Sequence, residues 1–326
     1  MRIWDLYKLA IDMGIATDPR GQAAVLQLLE DKQNNYYEAP SARPGSQDDL
    51  LGMFDKELLH NPYPDTRVLG GTPETEVKHL FAGIDVGTAE LMLVDRLNQK
   101  GAGIDLVMAH HPEGIALTTL AQAMGLQADM FACCGVPINA AEHILAGEAE
   151  KTTIDLVTGN YNRAVDAARL LELPFMCVHT PTDNMVQHYW EQRFAQEKPA
   201  TLGQIMDMLN GEPEYIEATK FAAGPQLLAG SPEMRPGKIM VDMTGGTDAG
   251  PKLYARLGAA GVGTLVAMHM SNGTLEVMRE NHINVILAGH MSSDSLGLNL
   301  YLDAVEAQGV KVTAGAGLTR FSRRAS

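Results

Sequence analysis

From Val77 onward, short apolar runs alternate with segments of helical periodicity, and this alternation restricts the chain to an α/β architecture with largely parallel strands. The spacing predicts strands at 79–84, 104–109, 130–133, 153–157, 175–178, 238–243, 264–268, 285–288 and 310–314. Helices are predicted between them at 88–100, 118–124, 162–171, 251–257, 272–281 and 295–308. Before Val77 the pattern is helical at both ends: Ile3, Leu6, Leu9 and Ala10 recur at helical spacing, and so do Ala24, Leu26, Leu28 and Leu29. Polar, breaker-rich stretches at 34–47 and 61–71 read as loops. The helical, proline-bearing stretch 191–225 is the expected boundary between two α/β halves. The expected domains are therefore a helical N-terminal extension (1–78), a first α/β half (79–215) and a second (216–326), with mostly parallel or mixed sheets.

With 45% hydrophobic and 20% charged residues in 326, the chain can bury a core, which excludes general disorder. Its formal charge of −15 excludes a scaffold held on duplex phosphates by its overall field. Three cysteines cannot build a disulfide framework and fit a reducing cytoplasm; Cys133, Cys134 and Cys177 lie in apolar runs and read as packing thiols. The Met1–Asp5 start does not resemble a signal peptide, and no apolar run reaches the ~18 residues of a spanning helix. A cytoplasmic protein without membrane contact is expected. Arg320, Arg323 and Arg324 read as a solvated tail.

Four predicted strands run into histidine. The first leads to His110-His111-Pro112, the second to His179-Thr180-Pro181-Thr182-Asp183, the third to His269, and the fourth to His290-Met291-Ser292-Ser293-Asp294. A fifth, Lys238–Val241, ends in Asp242 and a glycine-rich turn. Ligands bind outside the carboxyl ends of parallel strands, so residues there converge from distant parts of a chain. Imidazole with carboxylate is the donor set of a first-row transition metal. The step His-x-x-x-Asp occurs twice, and a four-residue step at a helix start brings both side chains to one point. With the His110-His111 pair this makes four imidazoles and two carboxylates, a set suited to two metals. A lone histidine at a strand end is ordinarily a hydrogen-bonded loop residue. The recurrence with identical spacing is what favours the metal reading. His60, His79, His143, His188 and His282 lack that context, although His143 with Glu148 could stand behind the ligands.

These segments resemble a known family. Phe81-Ala82-Gly83-Ile84-Asp85-Val86-Gly87-Thr88, a helix, and then Asp105 to Pro112 are similar to the first signature of the NIF-three-like proteins, also described as dinuclear-metal or GTP-cyclohydrolase-type homologues. His179 to Asp183 resembles that family's His-Thr-x-x-Asp turn, and Gly289 to Asp294 its Gly-His-x-x-Ser-Glu element. The resemblance spans residues 62–326. It implies two related α/β halves, two divalent ions held by His110, His111, Asp183, His290 and Asp294, and a homo-oligomer, commonly a hexamer. Iron, zinc or manganese is the expected metal. Three departures stand out: Asp294 replaces the usual glutamate, the interval from His111 to His179 is longer, and the first eighty residues form an extension, read as a lid or an oligomer contact.

The expected activity is metal-dependent hydrolysis of a small substrate, phosphate- or nucleotide-containing among the candidates, by metal-activated water. Asp183 or Asp294 would bridge the ions. His269 and Asp85 are the candidate acid–base residues, and His179 and Asp242 are expected behind the ligands or facing substrate. The turn Thr244-Gly245-Gly246-Thr247-Asp248-Ala249-Gly250-Pro251-Lys252 misses the phosphate-binding Gly-Lys-Ser/Thr, so ATPase action is not expected, and a tight strand-to-helix turn is. The alternative class is a non-catalytic metal-binding regulator or interaction scaffold, with a coordination sphere closed by protein ligands.

Overall fold

The computed structural model describes residues 1–38 and 55–324. Of the predicted loop at 34–47, residues 39–47 lie outside them; its first part, Asn34 to Glu38, is instead the end of a helix spanning Gln22–Glu38.

Among the described residues nine strands form two sheets: β1 (Arg67–Gly70), β2 (His79–Gly83), β3 (Leu106–Ala109), β4 (Phe175–Cys177), β5 (Gln226–Ala229), β6 (Lys238–Asp242), β7 (Val262–Ala267), β8 (Asn284–Leu287) and β9 (Lys311–Gly315). The first sheet has the order β1-β4-β3-β2-β9 and the second β5-β8-β7-β6. In each, three successive strands lie parallel, and the strand that precedes them pairs antiparallel with the last of the three. The halves are thus topological repeats. β9 returns to the first sheet and pairs parallel with β2, so residues 311–315 do not share the sheet of the half to which a boundary at 216 assigns them.

Burial on both faces explains why the parallel strands read as continuous apolar runs. Leu80, Leu106, Met108 and Met176 face one core, and Phe81, Val107, Ala109 and Phe175 another. The second sheet repeats this with Leu265 and Val285 on one side and Val266 and Ile286 on the other. Helices Thr180–Glu197 and His290–Ala307 follow β4 and β8 directly and pack against each other between the sheets.

The structure corrects several expectations. Met130–Cys133 and Thr153–Val157 are helical, lying within Gly125–Cys133 and Ile138–Val157. Short apolar or β-branched runs do not by themselves separate strand from helix: packing of Met130 and Phe131 with Tyr254 and Leu257 decides the first, whereas Thr153–Val157, with Ile154 and Val157 exposed, continues the helix begun at Ile138. β1 and β5 were not signalled, because each is a four-residue, half-exposed edge strand. The last long helix begins at His290, five residues earlier than predicted. Arg320 and Arg323 are not a solvated tail: Arg320 pairs with Asp303 and Glu306, and Arg323 with Glu212 and Glu214. Cys133 is exposed and Cys134 partly so; only Cys177 is a buried thiol.

The N-terminal helix, Ile3–Ala16, buries Ile3, Leu6, Tyr7 and Ala10 against Leu298, Tyr301 and Val305, so it belongs to the main core. The Tyr301 hydroxyl donates to the Leu6 carbonyl at 2.9 Å. Tyr301→Phe is expected to cost about 1 kcal/mol in urea denaturation, the net worth of one buried bond. An unchanged midpoint would show that docking of this helix owes nothing to it. Among the described residues no helix is long and apolar enough to cross a membrane.

Candidate metal centre

The two His-x-x-x-Asp segments meet because the helices that begin with them cross near their N-terminal ends. His179 caps Thr180–Glu197, and Asp183 follows one turn in; His290 opens His290–Ala307, with Asp294 one turn later. Gly297 sits at the crossing, where an added Cβ would lie 2.2 Å from the Thr182 carbonyl oxygen. The absent side chain lets the helices approach closely enough for both carboxylates to face the end of β3. There β3 delivers His110 and His111.

Distances define the cluster. His110 Nε2 is 3.4 Å from Asp183 Oδ1 and 3.6 Å from Asp294 Oδ1. His111 Nε2 and His290 Nε2 are each 3.5 Å from Asp294 Oδ2. His179 Nε2 is 3.7 Å from Asp183 Oδ2. Three sets of donors lie within 4.8 Å of one another: His110, His111 and His179; His111, His290 and Asp294; and His110, Asp183 and Asp294. Asp294 belongs to two sets, as a shared carboxylate would.

These atoms fit a metal. His110 Nε2, Asp183 Oδ1 and both Asp294 oxygens are buried without a hydrogen-bond partner. Buried polar atoms are almost always satisfied, and a bound cation would satisfy this cluster of orphaned acceptors. Two ligands about 2.1 Å from one ion at tetrahedral angles stand about 3.4 Å apart, close to the spacings found. The remaining imidazole nitrogens are held from behind. His110 Nδ1 is 3.1 Å from both the Val178 carbonyl and the Thr182 hydroxyl; the carbonyl only accepts, so this nitrogen carries the hydrogen and Nε2 stays free. His111 Nδ1 meets Asp85 at 2.7 Å, and His179 Nδ1 meets Asp65 at 2.8 Å. Carboxylates and carbonyls placed so are the usual support of metal-binding histidines.

The electrostatics are those of tightly coupled groups. Burial opposes charge on Asp294, but His110, His111 and His290 hold its carboxyl well below the usual range. Burial dominates at Asp183 and lifts it to about 6, against the pull of His179 and His110. Burial also opposes charge on His179, yet Asp183 and Asp65 raise it to about 9. His290 is pushed down to about 4, chiefly by burial. A metal binding here would displace protons from this set.

The other candidates fall into place around the cluster. Asp85 does not reach the donors; it is largely exposed and supports His111. His269 stands edge-on to His290, ring centroids 5.0 Å apart. It lines a small cleft with His179, Asp183, Asp242, Thr244 and Thr247. Asp242 is buried and accepts a hydrogen bond from the Tyr254 hydroxyl; burial raises it to about 6. The glycine turn is closed by Asp248, which accepts from the Gly250 amide at 2.8 Å and the Ser271 amide at 3.1 Å. Gly245 and Gly246 both have positive φ, so the turn itself accounts for these glycines. His143 faces the Asn139 carbonyl on its own helix and Glu148 pairs with Lys151, so neither stands behind the cluster.

Sequence reasoning missed Asp65 and Thr182. Asp65 lies in the stretch read as an irregular loop, 114 residues from His179, and nothing local marks it as a partner. The end of the N-terminal helix is tied in by Asn184, whose amide donates to Asp18 at 3.2 Å while its oxygen accepts from Thr244 at 2.7 Å.

No protein-family model and no curated protein matches the chain. Solved structures do. A NIF3 superfamily protein from Sphaerobacter thermophilus is similar at 29% identity and a TM-score of 0.70, covering 78% of this chain and 92% of that one. HcgD from Methanocaldococcus jannaschii, in its reduced form, matches at 14% identity and a TM-score of 0.48, covering 82% and 94%.

Proposed function

We propose, from the premise that this chain is a NIF3-like protein, that it is a dinuclear metal-binding hydrolase acting on a small substrate. The observation that carries the reading is the convergence of four buried, unpartnered acceptor atoms from His110, Asp183 and Asp294. His110 and Asp183 would hold one ion, His111 and His290 the other, and Asp294 would lie between them. Ions so held supply Lewis acidity toward a carbonyl or phosphoryl oxygen and lower the pKa of water.

The protein's own groups do the rest. Asp85 and the Val178 carbonyl fix the rings of His111 and His110. His269, in the cleft wall, is placed to exchange a proton with a bound substrate. Thr244 and Thr247 offer hydroxyls on the same wall. Among the described residues no lysine or arginine lines the cleft. Attraction for an anionic substrate would therefore come from the metals. The side chains of His290 and His111 are 41% and 26% exposed, which leaves that side of the cluster open to solvent. An open coordination position favours catalysis over a closed structural site.

Elemental analysis after purification with divalent metal present is expected to find about two ions per chain. Finding none would end this reading. Activity is then sought with the metal-loaded protein on phosphomonoester, phosphodiester, amide and GTP substrates, with Asp294→Ala as the blank. Turnover that the blank matches would be contamination; turnover of none would favour the regulator or scaffold.

A further inference from the structure

We infer that His179 is itself a donor to the metal pair, and that Asp65, contributed by the N-terminal segment, is the residue that positions it. This rests on the metal-holding reading above and adds a ligand and its support.

Geometry is the first argument. Asp65 is fully buried. One of its oxygens, Oδ2, lies 2.8 Å from His179 Nδ1 and also accepts from the Thr180 hydroxyl at 2.6 Å. The backbone N–H of His179 donates to the Thr66 hydroxyl at 3.1 Å, which fixes the ring's point of attachment as well. A carboxylate at Nδ1 takes the hydrogen there, which makes Nε2 the nitrogen a metal would use. That nitrogen points inward, 3.7 Å from Asp183 Oδ2, and His179 belongs to one of the three close donor sets, with His110 and His111. Its ring centroid is 4.8 Å from that of His110.

The second argument is the internal repeat. β4 and β8 occupy equivalent places in sheets of matching order and direction. Each is followed by a histidine at the start of an eighteen-residue helix, with an aspartate four residues on. His179 is thus the structural counterpart of His290 and is better enclosed. The support differs between halves. Two residues ahead of β1 stands Asp65; two residues ahead of β5 stands Gly224, which cannot reach a ring. Among the described residues no hydrogen bond is made to His290 Nδ1, so only the first-half histidine is fixed from behind by a carboxylate. A set built for ion pairing alone would need one carboxylate at His179; it has Asp65 on one nitrogen and the metal-facing Asp183 on the other.

The N-terminal segment therefore acts as part of the centre. Its chain runs from the Ile3–Ala16 helix in the main core to Asp65 and Thr66 behind the cluster, then into β1.

The test is zinc and cobalt titration of the full chain and of Asp65→Asn, His179→Gln and the double variant. Asp65→Asn is expected to weaken binding about 10–100-fold, as substitution of the carboxylate behind a ligand does. His179→Gln should weaken it at least as much and change the cobalt absorption bands, and the double variant should be no worse than His179→Gln. Affinities and bands equal to the unsubstituted protein, with only the thermal midpoint lowered, would mean that the pair is purely structural and would overturn the inference. Should Asp65→Asn fail to fold, nitrogen NMR of the unsubstituted protein decides. The expected result is His179 protonated at Nδ1, with its Nε2 resonance displaced when zinc is added; a hydrogen retained on Nε2 at saturating zinc overturns it. If the unsubstituted protein takes up no metal, the broader reading fails with it, whereas normal uptake with unaffected variants refutes this inference alone.

Discussion

Asp294→Ala is expected to reduce metal content from about two ions per chain to nearly none. Both of its carboxylate oxygens are buried and unpartnered. Oδ1 faces His110, and Oδ2 faces His111 and His290. Among the described residues it is the one carboxylate common to two donor sets, so its loss opens both at once. No comparable collapse is expected from His290→Ala, which touches one set only. The fold should survive, because the Asp294 carboxylate has no hydrogen bond to lose and its burial is unfavourable without a cation. Elemental analysis beside circular dichroism checks this. A folded Asp294→Ala protein with its full metal complement would place the ions elsewhere.

Gly297→Ala is expected to produce the largest effect obtainable from one methyl group. An ideal Cβ there lies 2.2 Å from the Thr182 oxygen and 3.0 Å from its carbonyl carbon, and neither is a flexible side-chain end that could swing aside. Helices Thr180–Glu197 and His290–Ala307 would have to separate. Overpacking of this kind costs roughly 1–3 kcal/mol, and more where backbone blocks backbone. The displacement would also draw Asp183 away from Asp294, because each lies within the first turn or so of one of the two helices. Loss of thermal stability and of metal affinity should therefore appear together. Destabilisation with metal affinity intact would show that the crossing does not set the carboxylate spacing.

Much of this was legible in the residues alone. Parallel strands buried on both faces must be apolar throughout, so β2, β3, β4, β6, β7 and β8 stand out as short runs. The helices between them carry helical periodicity because each covers one face of a sheet. Histidines at the ends of four such runs mark one edge of the sheets, where ligands gather. Local pattern failed where burial was partial or context decided. The edge strands β1 and β5 carry too little apolar signal. The helix ends at Met130–Cys133 and Thr153–Val157 imitate strands, since short apolar and β-branched runs serve either state until context beyond the run selects one.

The parallel strands, the end of each sheet at which the histidines gather, and the two His-x-x-x-Asp steps were thus determined by the sequence, because periodicity and strand-end position are local properties. Tertiary structure alone decided that the two halves face each other across one helix crossing, so that Asp183 and Asp294 share His110. It also decided that β9 rejoins the first sheet, and that Arg320 and Arg323 are pinned rather than free. Above all it gave His179 an inward-facing nitrogen, through a carboxylate 114 residues away. Which nitrogen of an imidazole is free depends on what lies behind the ring, and that neighbour is chosen by packing across the whole chain, where no local pattern reaches.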